Sequence, residues 1–173
     1  MLKIRAILRF GMLGLALLFA LSCATPRARY SDGVVTRDVV KYRIGEPGEP
    51  WEPGKTADWG DVLFRHPESG AVLSANSTCN RYEDSPLRRL AENLLWGITG
   101  RQKLREGILP MAGREAYELE LDGKLDGVPV RLYIRVLKKD ACIFDFSCTA
   151  QPERFETVRE TCLKFIDGFE DLR

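Results

Sequence analysis

The sequence predicts an α+β domain, an antiparallel β-sheet with a C-terminal three-stranded meander, packed by two main helices. Three observations carry this. Ala116 to Leu121, Val128 to Leu137 and Ala141 to Thr149 alternate apolar and polar residues with period two, the pattern of strands. Leu87 to Ile98 and Phe155 to Phe169 repeat apolar residues at three- and four-residue spacing, the pattern of amphipathic helices. Clusters of Gly, Pro, Asp and Lys separate these segments, and connections this short favour antiparallel neighbours with helices laid on the sheet.

Asp38 to Ile44 reads as a first strand, since Val39, Val40, Tyr42 and Ile44 are β-branched or large apolar residues. Residues 45–57 hold Gly45, Pro47, Gly48, Pro50, Pro53 and Gly54 and form a loop. Trp51 lies in that loop, either folded back onto the domain or exposed for a partner. Trp59 to His66 and Ala71 to Ser77 form a strand pair joined by the turn Pro67 to Gly70. Ser85 is placed to cap a helix with Pro86 at its first position. Leu87, Leu90, Ala91, Leu94, Leu95 and Ile98 make its stripe, Gly97 or Gly100 ends it, and Arg101 to Met111 is connecting chain. The closing helix begins near Pro152, with Phe155, Val158, Cys162, Phe165, Ile166 and Phe169 on its apolar side.

Turns at 122–127 and at Lys138-Lys139-Asp140 give the meander a register. Tyr117, Leu119 and Leu121 lie beside Leu132, Val130 and Val128. Val136, Ile134, Leu132 and Val130 lie against Cys142, Phe144, Phe146 and Cys148, all on one apolar face. The same register sets Glu118 opposite Arg131 on the other face, near Glu120, Tyr133, Arg135, Ile143, Asp145 and Ser147. That face is either solvated and stitched by ion pairs, or a partner surface around Arg131, Tyr133, Arg135 and Ile143, or a face covered by the N-terminal segment with Trp51 and Trp59.

The N-terminus carries Lys3, Arg5 and Arg9, then an uncharged apolar run from Phe10 to Leu21, then Ala20-Leu21-Ser22-Cys23-Ala24. A basic head, a short apolar core and a small residue before the cut describe an export signal, and the run is short for a spanning helix of about 20 residues. The end of the segment resembles the bacterial lipobox, although Ala20 and Leu21 depart from its usual residues. The resemblance implies cleavage before Cys23, lipidation of that cysteine and membrane attachment through the lipid. Ala24 rather than Asp after Cys23 resembles the outer-membrane default, facing the periplasm. Without a lipobox, Cys23 has no special role. Three segments follow: a signal at 1–22, a lipidated N-terminus and tether at 23–36, and one domain at 37–173.

Removing residues 1–22 from the 173 leaves 151, enough for a single cored domain. The three basic residues of the leader go with it, so 23 lysines and arginines face 25 acidic residues, which excludes the basic stripe of a nucleic-acid binder. Cys79, Cys142, Cys148 and Cys162 remain, an even number that suits two disulfides in an oxidising compartment. Three pairings exist; alternatively, some of the four are small buried thiols. A helix folded back along its preceding strand brings Cys162 nearer the level of Cys142 than of Cys148. The preferred reading is therefore Cys142–Cys162 with Cys79–Cys148. Their spacing matches no zinc site, and His66 is the sole histidine. No nucleophile elbow, phosphate loop or convergent carboxylate pair is present, so the sequence predicts no enzyme and no cofactor.

Phe144-Asp145-Phe146, leading into Phe155 and Phe165-Ile166-Asp167-Gly168-Phe169, together with the order of elements from Trp59 onward, resembles the PsbP-type fold of lumenal and bacterial lipoproteins. The resemblance implies an accessory or scaffold protein of a membrane-associated complex, with a protein partner in the envelope. The alternative is a module that binds a lipid or small apolar ligand.

Overall fold

The computed structural model describes residues 27–56, 60–80 and 84–173. Cys23 with its leader, Trp59 and Glu83 lie outside the described residues. The order is β1 (Arg29–Ser31), β2 (Val34–Arg37), β3 (Val40–Arg43), β4 (Glu52–Pro53), β5 (Val62–Arg65), β6 (Val72–Cys79), α1 (Leu87–Asn93), β7 (Ile98–Met111), β8 (Arg114–Leu125), β9 (Val128–Lys139), β10 (Cys142–Ala150), α2 (Pro152–Asp167) and β11 (Glu170–Asp171). Two antiparallel sheets result, one ordered β1-β2-β3-β11 and the other β4-β5-β6-β10-β9-β8-β7. Among the described residues, two helices pack on the larger sheet.

Different elements cover the two faces of the large sheet, the outer one only in part. On the inner face, Leu73, Phe144, Phe146 and Cys148 pack with Val35, Tyr42 and Ile44 of the small sheet and with Phe155, Phe165 and Ile166 of α2. The ring of Phe169 joins these layers, lying 4.8 Å from Phe144 and 5.8 Å from Tyr42 between centroids. On the outer face, Tyr117, Leu119, Leu121, Leu132, Ile134 and Val136 receive Leu90, Ala91 and Leu95 from α1 and the segment after it. An alternating strand hides only one face, so burial of both explains why the core divides in two.

The meander register differs from the expectation, and the turns are the reason. β8 runs on to Leu125 and reverses at Asp126-Gly127, both at positive φ, the conformation of a two-residue hairpin turn. Tyr117 therefore faces Val136 and Leu121 faces Leu132, a shift of even length that keeps the faces unchanged. The next reversal uses Asp140-Ala141, also at positive φ, so Cys142 faces Lys139. That shift is odd and inverts the faces. Phe144 and Phe146 share a side with Leu137, Arg135 and Tyr133, while Val136, Ile134 and Leu132 lie on the other. Glu118 stands opposite Arg135, and Asp122 takes the place opposite Arg131.

Three other expectations are corrected. Residues 29–36 are not tether: they form β1 and β2, and Val35 is fully buried. The first helix stops at Asn93, and its N-cap is Pro86 without a side-chain cap. Leu94 and Leu95 bond three residues back, which tightens the chain into a turn before Gly97 at φ +83°. Residues 101–111 are not connecting chain but most of β7, an edge strand exposed along nearly all its length. With water on both sides, an edge strand has no need to alternate, and its period-two signal disappears.

Candidate functional site

On the outer face, beside α1, lies a cavity of about 290 Å³. That is at the small end of the roughly 300–1,000 Å³ found for ligand sites. Its walls are Leu63 of β5, Leu132 and Ile134 of β9, and Ile98 of β7. Leu94, Leu125 and Trp96 also line it, all three exposed, with Trp96 at 91 %. Trp96 falls in the turn between α1 and β7.

Two cross-strand pairs of β6 and β10 supply the polar part of the lining. Ser74 faces Ser147 with their hydroxyls 2.7 Å apart, and Asn76 faces Asp145. Asn76 Nδ2 donates to Asp145 Oδ2 at 3.3 Å, while its buried Oδ1 has no hydrogen-bond partner. Withdrawal from water pushes the Asp145 carboxyl up to about 7; the bond from Asn76 opposes that shift and the charge of Asp61 adds to it. Among the described lining residues Asp145 carries the sole charge.

The proposed partner surface is absent as a surface. Tyr133 and Arg135 are 1 % and 5 % exposed beneath α2, and Ile143 is buried on the opposite face near α1. Arg135 bonds the Tyr133 hydroxyl at 2.6 Å and pairs with Asp167 of α2. The Tyr133 hydroxyl donates to Glu118 at 2.7 Å; burial, then that bond, pushes its pKa up to about 12. Arg131 makes two bonds to Asp122, at 2.7 and 2.9 Å, which hold the Asp122 carboxyl below its usual range. Arg159 of α2 completes the set on Glu120 at 2.5 and 3.1 Å. The Arg135–Asp167 and Arg159–Glu120 pairs fasten α2 to the sheet. Trp51 is also folded back, 9 % exposed, with its ring edge-on to His66 at 5.2 Å.

The cysteines pair otherwise than expected. Cys79 and Cys142 are cross-strand partners of β6 and β10 and form a disulfide with a Cα separation of 4.0 Å. This rules out both pairings of the sequence reading, which lacked the β6–β10 neighbourhood. Cys148 and Cys162 are free, buried and hydrogen-bonded to each other, and burial pushes the Cys162 thiol up.

With this geometry in view, the likeness to known proteins lies in the fold. No protein-family model and no curated protein sequence matches the chain. Among solved structures, the cyanobacterial PsbP protein CyanoP of Synechocystis sp. PCC 6803 superposes with a TM-score of 0.55 at 15 % identity, over 88 % of this chain and 95 % of that one. The fold is PsbP-like. LpqN of Mycobacterium tuberculosis, described as involved in cell envelope biogenesis, superposes with a TM-score of 0.58 at 11 % identity, over 78 % of this chain and 86 % of that one. Identities this low concern the backbone alone. Among the described residues, no helix is long and apolar enough to cross a membrane.

Sequence reasoning missed Trp96, Leu125 and Asn76 as lining residues, and met Asp145 only as a neighbour on a sheet face. One signal was available: a tryptophan directly before Gly97, at the end of a helical stripe that its position does not fit.

Proposed function

We propose that the chain is a bacterial envelope lipoprotein, acylated at Cys23 and facing the periplasm, a non-catalytic accessory or scaffold protein for a membrane-associated complex. The observation that carries this reading is the start of the fold. β1 begins at Arg29, so residues 24–28 alone separate Cys23 from a folded sheet. Five extended residues reach roughly 17 Å. A domain held that near a bilayer is placed to meet membrane-embedded partners. The PsbP-like fold and the envelope role described for LpqN support the reading. Co-purification from detergent-solubilised membranes tests it: a reproducible membrane-protein partner is expected, and recovery of the chain alone contradicts the scaffold role.

The cavity favours a second reading, a module that binds a small, largely apolar ligand. A pocket with aliphatic walls and a few convergent polar groups has the composition of a ligand site.

A further inference from the structure

We propose that the cavity between β5, β6, β10, β9 and the turn after α1 binds an amphiphile with an apolar body and a protonated amine, its ammonium held by Asp145 and Asn76. The inference rests on the second reading above and adds the ligand's chemistry.

The polar groups choose among three heads. Asn76 Oδ1 is a buried acceptor without a donor, and Asp145 is a carboxylate whose one hydrogen bond is long, 3.3 Å from Asn76. Both lack hydrogen. An anionic head adds a second negative charge where no described lining residue is positive. A neutral hydroxyl satisfies one acceptor and leaves the desolvated carboxylate without a counter-charge. An ammonium brings three donors and the missing charge, and converts a buried carboxylate into a paired one. The shift of Asp145 toward neutrality agrees with this, because burial without a counter-charge raises it.

The walls define the body. Leu63, Leu132, Ile134 and Ile98 offer aliphatic surface, and Trp96, exposed beside Leu94 and Leu125, adds an aromatic face to it. At ~30 Å³ per water, 290 Å³ holds about ten waters, the room of a medium-length alkyl chain. Expelling that water favours binding by roughly 25 cal/mol per Å² of apolar surface covered.

The test compares n-octylamine, n-octanol and octanoate on the full folded domain at about pH 8, where Asp145 is mostly ionised. Isothermal titration gives affinity, and shifts of the Asn76 side-chain amide and the Trp96 indole locate the ligand. Octylamine is expected to bind with saturation at least roughly tenfold more tightly than octanol or octanoate. Asp145→Asn, which keeps the shape of the site, should bring octylamine to the level of octanol and leave octanol unchanged. Equal binding of octanol or octanoate to the wild type overturns the ammonium preference while leaving the ligand cavity in place. No binding by any of the three, with silent Asn76 and Trp96 signals, overturns the ligand-binding reading itself. Asp145→Asn that retains the tenfold preference moves the head away from Asp145 and overturns the assignment.

Discussion

Asp61 receives hydrogen bonds from Arg37, Tyr42 and Ser77, at 2.9, 2.8 and 2.6 Å, whereas Asp145 receives one long bond from Asn76. The two carboxylates stand on opposite faces of one sheet, and their provision predicts opposite mutational outcomes. Asp61→Ala strands the Tyr42 and Ser77 hydroxyls in the core and removes the charge facing Arg37. A loss of about 2–4 kcal/mol is expected in urea unfolding. Asp145 has its folded pKa raised above the unfolded value of 3.8, to about 7. The folded state therefore binds the proton more tightly, and stability falls as pH rises from about 4 to 7. Three pH units correspond to about 4 kcal/mol at most, less for the solvent that the cavity admits to this part-buried group. Asp145→Asn should flatten this decline, checked by urea unfolding at pH 5 and pH 8; an unchanged slope would contradict the uncompensated burial. None of this was legible in the sequence. Between Phe144 and Phe146, Asp145 occupies the polar phase of an alternating strand, and what covers that phase depends on residues far along the chain.

At the scale of elements, the end of β3 meets the end of α2 without room for a methyl group. A Cβ on Gly45 would fall 2.0 Å from the Lys164 carbonyl oxygen, and one on Gly168 would fall 2.3 Å from the Gly45 nitrogen. Gly45 N also donates to the Phe165 carbonyl at 3.0 Å. Backbone cannot give way as a side chain does, so Gly45→Ala and Gly168→Ala should each cost more than about 2 kcal/mol in thermal or urea unfolding. The disulfide is the second tie between elements. Cys79 and Cys142 close a loop of sequence separation 63, and replacing both by alanine should cost about 2–4 kcal/mol. Cys148 and Cys162 should resist iodoacetamide in the folded protein and react on unfolding, since both are buried and the Cys162 thiol is raised. The closing helix and the strand segments at the C-terminus were legible because their periods are long and unbroken, whereas the first stripe ran on past the helix end at Asn93. Register was not, because it hangs on turn length. Asp122-Gly123 and Asp126-Gly127 offer the same turn chemistry four residues apart, and between β9 and β10 an odd shift at Asp140-Ala141 changed every facing pair. The cysteine pairing failed on other grounds: it compared levels along α2 and β10, whereas the disulfide depends on β6 lying beside β10.

For the whole molecule, the division of labour between the two faces matters most. The inner face is filled by the small sheet and α2, whose ion pairs run from Arg135 to Asp167 and from Arg159 to Glu120. The outer face is covered only in part by α1, and its open portion is the cavity with Trp96 beside it. Function is therefore expected on the outer face, with the inner face serving stability. The N-terminal sheet lies within the fold rather than on a tether, which shortens the distance from Cys23 and makes attachment at that residue the claim on which the rest depends. The most direct test is the intact mass of the protein extracted in detergent from bacterial membranes that process lipoproteins. The account predicts a chain beginning at Cys23 and carrying a thioether-linked diacylglycerol. An unmodified chain, whether cut after Cys23 or still carrying residues 1–22, would contradict it.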